Sequence, residues 1–130
     1  MIMSTNGKYR KKLGAWGESI ALDYLMKKGY ELIEKNYHTR YGEIDLIMRK
    51  DGLLVAVEVK TRKSNAFGIA EYSINRKKYK AIQASMFVYF ESHEDLNPEW
   101  QLDILVIEKN SPGAPEIFHY ENISLDYLNE

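Results

Sequence analysis

The sequence contains no cysteine, so it can form neither a disulfide framework nor a thiolate zinc site. It has no apolar run approaching the roughly 20 residues that span a bilayer, and its start, MIMSTNGKYRKK, has no hydrophobic stretch of signal-peptide length. It shows no Ser/His/Asp or Cys/His arrangement and no glycine-rich loop that would cradle a phosphate. We therefore expect a cytoplasmic protein without a membrane partner. Any catalysis would have to use groups other than a thiolate, a Ser/His/Asp or Cys/His arrangement, or a glycine-rich phosphate loop.

The charge of this chain is unevenly distributed, although the net charge is only −1. Residues 1–80 contain 17 basic and 9 acidic side chains, a net of +8, whereas residues 81–130 contain 1 basic and 10 acidic ones, a net of −9. The composition, 45% hydrophobic and 28% charged, is typical of one soluble globular domain over residues 1–130. The asymmetry predicts a basic and an acidic face. The alternative is that both charged parts are ordinary solvated surface without a binding function.

Hydrophobic periodicity predicts the order helix, three strands, helix, strand, strand. Helices are expected at about residues 12–28 and 75–91, after a mobile basic arm at residues 1–11. Strands are predicted at residues 30–37, 43–48, 53–61, 102–108 and 117–120. This order is typical of an α/β fold with a mixed central sheet flanked by helices.

The third predicted strand carries charged side chains on an otherwise apolar segment. Glu58, Lys60 and Arg62 are two residues apart and therefore share one face, where charge is costly to bury unless it is paired or metal-bound. The turn at residues 51–52 makes the second and third strands antiparallel neighbours, so Asp45 can meet Glu58. Two adjacent carboxylates repel each other unless a cation lies between them. Such oxygen ligands suit Mg²⁺ or Mn²⁺.

Basic residues near this predicted site suggest contact with phosphates. Lys60 could orient an attacking water and stabilise charge developing on a phosphate. The candidates for binding a nucleic-acid backbone are Arg62 and Lys63 by the third strand, Arg76, Lys77 and Lys78 at the second helix, and Arg10, Lys11 and Lys12 in the basic arm. A solvated charged surface is the ordinary alternative for each of these runs.

Four short motifs carry a resemblance to a known family. Glu58-Val59-Lys60, preceded by Asp45, resembles the divided Asp…Glu-x-Lys signature of the PD-(D/E)xK nuclease superfamily. More narrowly, the motifs Gly17-Glu18, Gly42–Ile47, Val57–Arg62 and Phe67-Gly68 look like the YraN family of small bacterial proteins. The resemblance extends over most of the chain, roughly from Leu13 to Ile107.

The resemblance implies a restriction-endonuclease-like αβββαβ core, similar to that of Holliday-junction resolvases. It also implies that Asp45 and Glu58 are metal ligands, that Lys60 is the catalytic lysine, and that Glu18 on the first helix is an accessory acid. With the Val59 carbonyl, these acids would hold Mg²⁺ in a phosphodiesterase that acts on DNA, including branched or structured DNA.

Two other functions stay open at this point. The chain could be a non-catalytic nucleic-acid-binding module that keeps the nuclease fold. It could also be an adaptor whose acidic part, residues 91–130, docks a recombination or replication protein. An enzyme that cuts two strands symmetrically would be expected to form a homodimer.

Several candidate residues also have purely structural interpretations. Glu58 and Lys60 could be an exposed same-face ion pair, which contributes little to stability. Glu18 near a helix start would also interact favourably with the helix dipole. Glu43 is expected to pair with a nearby arginine and Asp103 to be a solvated strand residue, while the scattered histidines are expected to be structural or exposed.

Overall fold

The computed structural model describes residues 2–63 and 74–128. Its elements are α1 (Ile2–Lys27), β1 (Glu31–Thr39), β2 (Gly42–Lys50), β3 (Leu53–Lys63), α2 (Arg76–Glu91), β4 (Trp100–Lys109) and β5 (Glu116–Tyr120), followed by a short 3₁₀ turn at Leu125–Tyr127. This order confirms the predicted αβββαβ core with a mixed sheet and two helices. Among these residues, no helix is long and apolar enough to cross a membrane.

The five strands form one sheet in the order β1-β2-β3-β4-β5. The β1–β2, β2–β3 and β4–β5 pairs are antiparallel. β3 and β4 are parallel and pair from Leu54–Trp100 to Lys63–Lys109, so α2 is the crossover between them. Asp51 and Gly52, at φ 53° and 80°, supply the positive backbone angles that a tight β2–β3 hairpin requires.

Each helix covers one face of the sheet, so neither face of the central strands is open to water. On one side Ala21 and Leu25 of α1 pack in a core that includes Val55 and Val57. On the other side Ile82, Met86 and Tyr89 of α2 are buried, as the predicted apolar stripe of that helix requires. β3 therefore carries apolar side chains towards both helices.

The first helix is longer than the sequence indicated. α1 begins at Ile2 rather than near Lys12, so the predicted start of the helix was wrong, and residues 2–11, the expected basic arm, form its first turns. The predicted start followed the apolar stripe, which begins later. Lysine and arginine have high helix propensity, so the backbone can continue as a helix where no apolar face is present.

β2 and β3 are paired over only part of their length. Their ladder runs from Lys50–Leu53 to Leu46–Val57 and ends there. Beyond it, the first residues of β2 pair with β1 alone, and the last residues of β3 pair with β4 alone. We call the opening between the two strands the fork; Asp45 and Glu58 are the next residues on its two sides.

Candidate metal and nucleic-acid site

Asp45 occupies an irregular position in β2. Ile44 and Leu46 contribute to the cores on opposite sides of the sheet, although residues two apart in a strand normally face the same side. The irregularity coincides with the fork, where the Asp45 Oδ2 atom accepts a hydrogen bond of 2.8 Å from the Val59 backbone N–H. The Asp45 carboxylate thus accepts the hydrogen bond of a β3 backbone N–H at the point where the β2 backbone no longer pairs with β3.

Glu58 is buried beside two lysines. The residue is only 5% exposed, which is rare for a carboxylate without partners. Its Oε2 atom lies 3.4 Å from the Lys60 Nζ atom and 3.8 Å from the Lys78 Nζ atom of α2. The exposed-strand interpretation of the Glu58–Lys60 pair is therefore wrong for Glu58, because α2 covers this face of β3.

The carboxylates at the fork act on one another electrostatically. Burial and then the Glu58 carboxylate raise the pKa of Asp45 to about 6, while the Val59 hydrogen bond opposes the rise. Burial also raises the pKa of Glu18, with further contributions from Asp45 and Glu43 and an opposing one from Lys35. The fork therefore concentrates negative charge that its neighbouring lysines only partly offset.

A close approach of α1 to β3 positions Glu18 towards this group. Gly17 is buried, and a Cβ atom there would lie 2.1 Å from the Thr61 Oγ1 atom. Only glycine allows the helix backbone to come this near to β3. Glu18 follows directly and is partly buried, so the glycine fixes how far this acid is from the fork.

Three acids were predicted as metal ligands together with the Val59 carbonyl, and the structure brings two of them to the fork. Asp45 and Glu58 lie at the adjoining ends of the ladder, whereas Glu18 approaches from α1. In the described part of the chain, three His, Asp or Glu side chains do place ligand atoms within 4.8 Å of one another, but they are not these three acids. Glu18, Asp45 and Glu58 do not converge as tightly as that.

That other group is Asp103, His119 and Glu121, on the face covered by α1. Asp103 is fully buried, so the expectation of a solvated residue was wrong. Its Oδ2 accepts hydrogen bonds from the Tyr30 hydroxyl at 3.1 Å and from His119 Nε2 at 2.7 Å. Its Oδ1 accepts from the Gln101 amide at 2.8 Å and from a backbone N–H at 3.0 Å.

These bonds give the Asp103 group a structural role. Burial alone would raise the pKa of Asp103, but the bonds from His119, the backbone and Gln101 outweigh it and leave the pKa lowered. The His119 side chain is 4% exposed, in agreement with the structural role expected for a histidine. Both oxygens of the Asp103 carboxylate are thus already occupied by protein donors.

The predicted phosphate-binding residues divide into paired and exposed ones. Arg62 is 15% exposed and bonds to Glu108 at 3.0 Å, and Arg76 donates to the Leu125 carbonyl at 2.9 Å. The Lys78 side chain is partly exposed, and its Nζ atom lies 3.8 Å from the Glu58 Oε2 atom. The remaining candidates, Arg10, Lys11, Lys12, Lys63 and Lys77, are exposed. Their contact with nucleic acid stays a prediction.

Glu43 is the acid that the sequence interpretation set aside. It was expected to pair with an arginine, but its carboxylate lies 3.8 Å from His38 Nδ1. It also raises the pKa of both Asp45 and Glu18, so it belongs to the charged group at the fork. Its spacing of two residues from Asp45 was the only signal in the sequence.

The fold and the fork together define a class of protein: an αβββαβ domain with two carboxylates and a lysine where the central strands separate. A family profile described as "Uncharacterised protein family UPF0102" matches residues 17–107. The chain belongs to the UPF0102 family, which confirms the resemblance to YraN proteins.

Relatives in several bacteria extend over most of the chain, and each is named as a UPF0102 protein. The one from Syntrophomonas wolfei is 43% identical over 112 residues, covering 86% of this chain and 96% of the relative. That from Herpetosiphon aurantiacus is 36% identical over 121 residues, covering 90% and 97%. That from Neisseria gonorrhoeae is 42% identical over 101 residues, covering 78% and 88%.

Proposed function

We propose that this protein is a metal-dependent phosphodiesterase that acts on DNA, including branched or structured DNA. The observation that carries the proposal is the fork, where Asp45 and the buried Glu58 adjoin and Lys60 lies 3.4 Å from the Glu58 carboxylate. A buried Glu58 next to a half-buried Asp45 and a partly exposed lysine is costly for stability alone. It is explained if the site binds a cation and a phosphate.

The residues at the fork fit a hard divalent cation. Asp45 and Glu58 offer carboxylate oxygens. The raised pKa of Asp45 has burial as its first cause and the charge of Glu58 as its second, and a bound cation would offset that charge. The Val59 N–H faces Asp45, and the N–H and C=O of one strand residue point to the same neighbouring strand. The Val59 carbonyl is thus available on the β2 side. Mg²⁺ and Mn²⁺ prefer such oxygen ligands.

When bound, the cation would lower the pKa of a water and offset phosphate charge. Lys60 carries three N–H donors, so its ion pair with Glu58 leaves donors for a phosphate oxygen or for the attacking water. Glu58 holds the Lys60 ammonium in place, and Lys78 balances part of the Glu58 charge from α2. Glu18 would assist from α1, which Gly17 brings close to β3.

The exposed basic residues lie at the same end of β3 as the fork. The first half of α1 runs past this strand end, since Tyr9 contacts Lys63. α2 begins beyond it with Arg76 and places Lys78 at Glu58. Both basic segments therefore flank the strand that carries Lys60. A polyanionic backbone across this end would meet positive charge on each side of the fork.

The proposal is tested by incubating the purified protein with labelled branched, single-stranded and duplex DNA. We expect phosphodiester cleavage of at least one substrate with Mg²⁺ or Mn²⁺ and none with excess EDTA. An Asp45→Asn variant purified in parallel controls for contaminating nucleases. Salt-sensitive DNA binding without cleavage under any of these conditions would contradict the proposal and favour the non-catalytic binding module.

A further inference from the structure

A second feature adjoins the fork: an open groove of 570 Å³ between the first half of α1 and the end of β3. α1 contributes Tyr9, Arg10, Leu13 and Gly14, and β3 contributes Val59, Lys60, Thr61 and Lys63. Since Lys60 also contacts Glu58, the groove begins at the proposed hydrolytic site. Its charged side chains, one on α1 and two on β3, are all basic. A ligand of opposite charge is therefore favoured.

An exposed aromatic ring lies at this groove among further cations. Tyr9 is 38% exposed. The Lys63 ammonium lies 4.9 Å from the centroid of its ring, and the Lys109 ammonium lies 5.8 Å from it. Lys109 also lies 5.8 Å from the centroid of Trp16, two helical turns along α1. Of these two rings, Tyr9 is the exposed one, and an exposed aromatic face beside cations is the combination by which proteins bind unpaired bases and their phosphates.

We propose that this groove binds a single-stranded nucleic-acid segment, with the Tyr9 ring stacked on an unpaired base and Arg10 and Lys63 bound to its phosphates. The inference rests on the proposed function, because it names the substrate class of that same site. The protein would then prefer DNA that has a single-stranded branch or end. A base that stacks on Tyr9 displaces the Lys63 ammonium towards the backbone phosphate.

Single-stranded rather than duplex nucleic acid fits the groove for two reasons. Pockets that hold ligands the size of small molecules have volumes of about 300–1,000 Å³, a range that suits one or two nucleotides and not a double helix. The faces of bases within a duplex are also covered by their neighbours, so Tyr9 could stack only on a base that has left the stack. Duplex DNA would engage the basic residues alone.

The test is fluorescence anisotropy with the full chain in EDTA, so that binding is measured without cleavage. The probes are a labelled oligothymidine of about 12 nucleotides and a hairpin duplex with the same number of phosphates. Tyr9→Ala is expected to weaken oligothymidine binding about 10-fold and duplex binding less than about 2-fold. Tyr9→Phe, which keeps the ring, is expected to bind oligothymidine within about 2-fold of the unmodified protein.

Phe87→Ala is the matched control, since it removes an aromatic ring that is 63% exposed on the other helix; it should change neither affinity. Lys63→Gln should weaken both probes and reduce the salt dependence. Equal loss of both probes in Tyr9→Ala, or no loss of oligothymidine binding, would overturn the groove assignment. Failure of the proposed hydrolysis is distinguishable, because it would leave Tyr9-dependent binding intact in EDTA.

Discussion

Lys60→Ala is expected to lower the rate of DNA cleavage about 10²–10³-fold, the usual cost of removing one group that stabilises developing charge. The physical reason is position: the ammonium lies 3.4 Å from the Glu58 carboxylate and is 34% exposed, so it can reach both the acid pair and a substrate phosphate. The rate is measured with the cleavable substrate at saturating Mg²⁺. Mn²⁺ binding should persist, because the carboxylates stay.

The fold should survive this change. Glu58 keeps Lys78 at 3.8 Å, so its buried carboxylate retains a positively charged partner, and we expect the free energy of unfolding to fall by about 1–3 kcal/mol. Lys27→Ala is the matched control, because that lysine is exposed and paired with Asp23 on the far part of α1. Cleavage by Lys60→Ala at the unmodified rate would show that the fork is not the hydrolytic site.

Gly17→Ala is expected to destabilise the protein by about 1–3 kcal/mol, the usual cost of an overpacked contact. The added Cβ would lie 2.1 Å from Thr61 Oγ1 and 3.1 Å from the other two atoms of that side chain. α1 must then move away from β3, and cleavage should also fall because Glu18 moves with the helix. Urea unfolding measures the first effect and the cleavage assay measures the second.

The same helix supplies the control. Gly14 has no atom within 4 Å of a Cβ position, so Gly14→Ala should stabilise the protein by about 0.5–1 kcal/mol through helix propensity. Thr61→Ala should recover part of the loss in Gly17→Ala, giving a favourable coupling in a double-mutant cycle. Equal stabilisation by both glycine substitutions, without coupling to Thr61, would contradict the close contact.

The elements with a clear hydrophobic period could be predicted from the sequence. α2 shows its buried stripe, and the Asp51-Gly52 turn fixes a register in which Asp45 follows the Leu46–Val57 pair next to Glu58. Burial of Asp103 could not be predicted, because an alternating polar residue normally indicates a face open to water. Here α1 covers that face, and Tyr30 and His119 supply the donors.

The types of residue that meet at the fork could be predicted from the sequence, but the shape of the fork could not. Glu58 and Lys60 share a face by simple alternation, and Asp45 follows from the register. The fork itself depends on where β1 and β4 draw the two strands apart, which no local pattern records. The position of Tyr9 beside Lys63 could not be predicted, because the two residues are far apart in sequence.

The most direct test of the metal site is calorimetric titration with Mn²⁺ at a pH of about 8, where Asp45 is ionised. We expect binding by the unmodified protein, loss of binding in Asp45→Asn and Glu58→Gln, and full binding in Glu121→Gln, which alters the Asp103 group instead. Binding should weaken below pH 6, because protons then compete for Asp45, whose pKa is raised to about 6. No binding by the unmodified protein, or binding lost in Glu121→Gln and kept in Asp45→Asn, would contradict the account.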